Sequence, residues 1–363
     1  MPDLRPGCRS SILHHSLFRF AVILIAIIAA STMDLPGSFL QAQSTPGAAW
    51  SVTIVLPPMV VPGHPATLAV FGADGRLASG VTVETGRDQR VTTDGTGRAV
   101  FPAPSGGSFL LAKASGTASA ALMGAETSSG NSRTITVAPM ISLKDRFSIC
   151  GGAFRGDADA NRVKINGERA LILGASPECL VALPGPKALP GPAIITVQTA
   201  DVQWTAATTL VSLDFDSPQP ALAPEKKSKL IVRAKGVEEP LRIVVENQTP
   251  GVLRFARGDT QELRTSGGPN NFAEVDVQAI RSGDFSFHAR LVSSPDLVIA
   301  QRYLRAAEPL APKDLQHRLR EFAERLARHP KDSEKVRRQL DQVISSTISS
   351  DLRTLLEAAA AAL

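Results

Sequence analysis

The residues of this chain that could do chemistry are few and widely spaced. Cys150 and Cys179 flank a stretch of short apolar runs, and Cys8 stands alone near the N-terminus. In an oxidising compartment Cys150 and Cys179 are predicted to bond, and a loop of that length contributes roughly 3–4 kcal/mol. Two separate buried thiols are the alternative. No histidine lies near either in sequence, which weighs against a reactive thiol. Asp157, Asp159 and Asn161, with Glu168 at the twelfth position, match the start and end of a calcium loop. The sixth position should be glycine but is Arg162, a cation beside any bound ion, so a solvated inter-strand loop is expected and no metal. Arg257-Gly258-Asp259 matches a short adhesion motif, but three such residues also make an ordinary turn.

No catalytic set assembles from the rest. His64, His288, His317 and His329 are scattered, and none forms a metal-binding pair. A nucleophile elbow and a phosphate loop are both missing from the sequence. Asp214 and Asp216 face one side of a strand, whereas paired acids for glycoside cleavage come from separate walls of a cleft. His288 alternates with Phe285 and Phe287 and reads as a surface position. The expectation is no catalytic residue and no cofactor.

The elements that position these residues are mostly strands. Between Ile141 and Val197, runs at Phe147–Ile149, Val163–Ile165, Ala170–Leu173, Leu180–Leu183 and Ile194–Val197 alternate with Gly, Pro and Asn-Gly turns. Short runs so punctuated predict an antiparallel sandwich. Gly151-Gly152-Ala153-Phe154, Val163-Lys164-Ile165-Asn166-Gly167, Leu180–Pro184 and Gly191–Val197 resemble the IPT/TIG family of immunoglobulin-like domains. That resemblance implies a sandwich over 141–215 with protein or ligand contacts at its loops, and it carries over no specific residue.

Before it, Val52/Ile54/Leu56, Ala66–Phe71, Val81–Val83, Ser108–Ala114 and Ala120–Met123 predict strands, and Thr134–Val137 is expected to close the set. Asp94-Gly95 between Arg90–Thr93 and Arg98–Phe101 predicts a hairpin. Gly80-Val81-Thr82-Val83 with Thr92–Phe101 resembles bacterial Ig-like domains of the invasin/intimin type, and equally the carboxypeptidase regulatory-like sandwich, over 51–138. Trp204–Phe215 reads as one more strand, followed by a Pro- and charge-rich linker from Ser217 to Lys229. A third β region over 225–308 has runs at Leu230–Ala234, Leu241–Glu246, Val252–Phe255, Glu262–Thr265, Ala273–Ala279 and Asp284–Leu291.

The period then changes. Leu315, Leu319, Phe322 and Leu326 share a helical face, His329-Pro330 breaks it, and Val336, Leu340, Val343, Thr347, Leu352 and Leu355 form a second stripe. A helical hairpin over 312–358 is predicted, capped at Asp332, packed on the preceding sandwich or on itself, with a fraying tail. Its sharper reading is a partner-docking element.

At the other end, Arg5, Arg9 and Arg19 precede the apolar run Phe20–Ala30, then Pro36-Gly37 and small residues. Residues 1–42 have the layout of a signal peptide, with a retained membrane anchor as the competing reading. Export to the periplasm, surface or exterior follows. The 363 residues carry a net charge of +5, but the basic side chains are dispersed, so nucleic acid is not an expected partner. With Trp50, Trp204 and Tyr303 the only Trp and Tyr, a carbohydrate platform is hard to build unless Phe serves.

The sequence thus predicts a mainly β chain, tandem immunoglobulin-like sandwiches followed by a C-terminal α-helical hairpin. It reads as an exported, non-enzymatic envelope or cell-surface protein. Its expected partners are envelope or surface proteins, met through sandwich loops or the C-terminal helices. A secreted polysaccharide-binding accessory protein is the alternative, and it predicts a planar aromatic patch. Membrane contact is expected only if the N-terminal segment stays uncleaved.

Overall fold

Alternation of apolar and polar residues becomes strand nearly wherever the sequence shows it. The computed structural model describes residues 52–86, 88–124, 134–200, 202–216, 227–292 and 294–363. The leader, the linker that follows it and the Pro-rich residues 217–226 lie outside the described residues. The described chain is mainly β: tandem immunoglobulin-like sandwiches followed by helices.

The first sandwich comprises β1 (Thr53–Val55), β2 (Met59–Val60), β3 (Pro65–Phe71), β4 (Thr82–Glu84), β5 (Arg90–Thr92), β6 (Arg98–Pro102), β7 (Phe109–Ala114) and β8 (Thr117–Met123). β1 and β6 flank β3 in one sheet, and β2-β8-β7-β4-β5 make the other. Leu68, Phe101 and Leu110 are fully buried between them. The hairpin expected at Asp94-Gly95 does not form. β5 pairs with β4 and β6 with β3, so the turn carries the chain from one sheet to the other. Its side chain closes it locally: the Asp94 carboxylate accepts from the Thr96 amide at 2.7 Å, the Thr96 hydroxyl at 2.6 Å and the Arg98 amide at 3.2 Å. The flanking strands then follow their apolar faces, Ala99 and Phe101 inward, instead of pairing with each other.

The second sandwich holds β9 (Thr136–Val137), β10 (Met140–Ser142), β11 (Phe147–Cys150), β12 (Arg162–Ile165), β13 (Glu168–Arg169), β14 (Leu171–Ala175), β15 (Cys179–Leu183), β16 (Gly191–Gln198) and β17 (Gln203–Asp216). The Thr134–Val137 run does not close the first sandwich. It pairs with β11, and Ile135 joins the second core.

Both sandwiches begin with the same strand switch. β1 runs antiparallel to β3, then β2 runs parallel to β8; β9 runs antiparallel to β11, then β10 parallel to β17. Proline marks each crossing. Having no N–H it cannot extend the first ladder, while the carbonyls of Pro58 and Pro139 accept from Leu122 at 3.0 Å and Thr209 at 2.9 Å on the new one.

No flexible linker separates these units. β1 covers Ala69–Phe71 on the edge of β3, and β14 takes the next position, Ala175 opposite Thr67, giving one seven-stranded sheet across both sandwiches. Buried hydroxyls seal the joint. Thr67 donates to the Gly156 carbonyl at 2.7 Å and accepts from the Ala158 amide at 3.0 Å, and Ser176 donates to the Met59 carbonyl at 2.6 Å. Gly156 is obligatory there, because a Cβ would lie 1.7 Å from the Pro65 carbonyl oxygen. The second and third sandwiches share β17, whose fourteen residues pair first with β16 and then, from Ser212, with β18.

The third sandwich adds β18 (Lys227–Lys235), β19 (Arg242–Asn247), β20 (Leu253–Phe255), β21 (Thr260–Arg264), β22 (Phe272–Ala279) and β23 (Phe287–Leu291). Its sheets are β17-β18-β22-β20 and β21-β19-β23. The supposed linker residues Lys227–Lys229 begin β18.

The helical region departs from the predicted hairpin. Among the described residues it has four α-helices: α1 (Leu297–Ala307), α2 (Lys313–Arg328), α3 (Ser333–Ser346) and α4 (Ser350–Ala361). The break at His329-Pro330 is present, but Asp332 makes no side-chain cap bond. The second predicted stripe is two helices, because the Ser349 hydroxyl accepts from the Leu352 amide and restarts the chain. The tail is helical to Ala361, and Leu363 is buried.

Candidate interaction surfaces

The helices do not pack on the sandwich that precedes them. They return to the first. α1 buries Ala300, Tyr303, Leu304 and Ala307, and α4 buries Leu352, Leu355, Leu356 and Ala359, each at helical spacing. These join one core with Leu122, against which Met59, Phe109 and Ala120 also pack, all on the outward face of β2-β8-β7. Polar contacts fix the seat. The Tyr303 hydroxyl donates to the Ala120 carbonyl at 3.2 Å, Arg302 donates to the Met123 carbonyl at 2.8 Å and reaches the Met59 sulfur, and Lys113 pairs with Asp351 at 2.6 Å. The Lys113 hydrogen bond holds the Asp351 carboxyl below its usual range, and burial pushes the Tyr303 phenol up. Arg242 of β19 meets Glu334 of α3, which ties the third sandwich to the helices.

The two cysteines meet. Cys150 and Cys179 are directly opposite on β11 and β15, with Cα atoms 4.2 Å apart, and are joined by a disulfide. The bond staples neighbouring strands of one sheet; in antibody domains it spans two.

The remaining motif residues serve the backbone. Asp157 accepts from the Asp159 amide, Asp159 pairs with Arg98 at 2.8 Å, and buried Asn161 holds the loop through Arg155 and Asp157. Among the described residues no group of His, Cys, Asp and Glu could hold a metal ion. Arg257-Gly258-Asp259 is an exposed turn between β20 and β21. Asp214 sits between Lys144 at 3.3 Å and Lys235 at 3.1 Å. Burial raises its carboxyl pKa, but hydrogen bonds from Lys235, Ser212 and Lys144 bring it below the usual value. Asp216 pairs with Arg233. His64, His317 and His329 are exposed.

His288 departs from its expected surface role. Half-buried on β23, its Nε2 lies 3.0 Å from Asp145 in the turn after β10, with a Glu246 oxygen 4.0 Å from Nδ1. Arg290 also pairs with Glu246 at 3.1 Å. The Asp145 hydrogen bond outweighs burial and raises the imidazole pKa. This contact latches the second sandwich to the third. A shallow cleft of about 210 Å³ lies between the first two sandwiches, where Arg98, Asp159 and Arg169 line it. It gathers no histidine and no second acid.

Trp204 is buried edge-on against Phe154, with ring centroids 5.4 Å apart, and Tyr303 lies under the helices. No Phe, Tyr or Trp side chain among the described residues is exposed.

No protein-family model and no curated protein matches this chain. Among solved structures, the Bacteroides ovatus mixed-linkage glucan utilization locus protein SGBP-B, in complex with a mixed-linkage heptasaccharide, is 13% identical. That alignment covers 65% of this chain and 72% of that one, with a TM-score of 0.24. Sidekick-1 immunoglobulin domains 1–4 are 12% identical over 64% of this chain and 76% of theirs, TM-score 0.21. The four N-terminal Ig domains of Dscam1 isoform 6.9 are 12% identical over 64% and 73%, TM-score 0.21. Overlap this low assigns neither partner nor activity, and the fold rests on the strand pairing itself. No helix among the described residues is long and apolar enough to cross a membrane.

Proposed function

We propose that this chain is an exported, non-enzymatic envelope or cell-surface protein, a stiff scaffold that presents sandwich surfaces to other proteins. One observation carries the reading: a common sheet joins the first two sandwiches, β17 joins the second to the third, and the helices run back from the third to the first. Surfaces on such a body keep fixed spacing, which suits a spacer or assembly component. The Cys150–Cys179 bond supports export, since such bonds persist in oxidising compartments. The polysaccharide-binding alternative draws less support, because Trp204 and Tyr303 are buried and the described Phe rings are buried or half-buried.

The test is fractionation of producing cells combined with thiol alkylation. Scaffold and export together predict protein outside the cytoplasm whose Cys150 and Cys179 react with maleimide only after reduction. Cytoplasmic protein with both thiols free would sink the export reading.

A further inference from the structure

We propose that the outward face of the second sandwich, formed by β13-β12-β16-β17 with β10 at its edge, docks an acidic amphipathic helix of a partner protein. The inference rests on the scaffold reading and names one of its working surfaces.

Strand register defines the face. Lys164 stands opposite both Arg169 and Thr196, and Thr196 stands opposite Thr205; Arg162 stands opposite Gln198. Further along, Ile194 stands opposite Ala207, and Met140 lies beside Thr209. The intervening residues Val163, Ile165, Ile195 and Val197 point into the core, so the alternation leaves this set outside. One half is basic and polar, the other apolar, with Ile194 57% and Met140 37% exposed.

Charge selects the occupant. Arg162, Lys164 and Arg169 are exposed, and none has an ion-pair partner among the described residues. The acid of β13, Glu168, stands opposite buried Ile165 and so belongs to the other face. Three cations beside an apolar row complement a helix with acidic residues flanking an apolar stripe.

The molecule supplies its own precedent. The corresponding face of the first sandwich has Met59 after the proline switch, as Met140 follows Pro139, and it carries Lys113. There α1 and α4 cover the apolar row, and Asp351 of α4 takes the lysine. The second face has the same strand plan and more positive charge, and no helix among the described residues packs on it. A glycan would want an aromatic platform, and Trp204, the aromatic residue in the part of β17 that pairs with β16, is turned inward.

The test places the photo-cross-linker p-benzoylphenylalanine at Ile194, and separately at fully exposed Ile348 between α3 and α4, in the full chain in cells that produce it. The expected result is one protein adduct at position 194, joined through an acidic helical peptide. That protein, purified, should bind roughly tenfold more weakly to the triple variant R162E/K164E/R169E, and more weakly as salt is added. Circular dichroism of the variant checks that it is folded. Adducts at 194 that are polysaccharide or lipid overturn the proposal, as does undiminished affinity of the folded triple variant. A protein adduct at 348 with none at 194 removes this face alone and leaves the scaffold standing. No protein adduct at either position removes both.

Discussion

The first and second sandwiches follow one strand plan and are finished differently. Each starts with a strand that abandons its first sheet at a proline, runs parallel to the last strand of the other sheet, and places a methionine there. In the first, the resulting face is apolar and lies under α1 and α4. In the second no helix among the described residues covers it, Arg162, Lys164 and Arg169 edge it, and the sandwich carries the disulfide. The same scaffold is thus stabilised in one place by helices and in the other by a covalent staple. What covers a sheet face is set by its outward residues, and the strand plan says nothing about it.

The largest way to separate the two is reduction. Replacing Cys150 and Cys179 by serine should cost about 3.5 kcal/mol by loop entropy, felt mainly in the second sandwich. Hydrogen exchange should then show β11 and β15 losing protection before β7 and β8. Uniform loss in both sandwiches would mean that they unfold as one cooperative unit.

Next come the faces themselves. Leu304→Ala, at a fully buried position of α1, should cost about 3 kcal/mol. Ile194→Ala on the open face should stay within about 0.5 kcal/mol. Denaturant titration of both variants makes the comparison, and a large loss at Ile194 would mean that its face is covered. A finer cut is Tyr303→Phe, which leaves packing intact and strips one hydrogen bond from the Ala120 carbonyl, for about 1 kcal/mol.

Most of the β architecture was legible because period-2 alternation is a local signal. Val163 and Ile165, or Ala273 through Ala279, declare their buried side without knowledge of any partner. Other features were not legible in that way. The Asp94 turn looks like a hairpin because Asp-Gly favours one, but sheet membership was decided by Ala99 and Phe101 reaching the core beside β3. α1 falls inside the third β region read from the sequence, because Leu297-Val298-Ile299-Ala300 is a continuous apolar run that fits either period. Its spacing of Ala300, Tyr303, Leu304 and Ala307 was the available signal. The return of the helices to the first sandwich depends on contacts such as Arg302 with Met59, too distant in sequence for any window to see. The role of His288 is hidden for the same reason: its partner Asp145 belongs to another sandwich.

That latch gives the smallest effect and sets one junction against the other. The joint between the first and second sandwiches is held by Thr67, Ser176, Gly156 and the Arg98–Asp159 pair, with no histidine in these contacts. The joint between the second and third includes His288, faced by Asp145, Glu246 and Arg290. Because the folded state raises the His288 pKa, its contribution is complete below the unfolded value of about 6.5. It is lost as pH rises through the higher folded value. For a pair this exposed the difference is about 0.5 kcal/mol. Hydrogen exchange followed from about pH 5.5 to about pH 8, corrected for intrinsic rates, should show β23 loosening while β3 and β14 hold. His288→Gln should remove that slope. An equal slope in the variant would place the titrating group elsewhere and leave the latch without a role in joining the sandwiches.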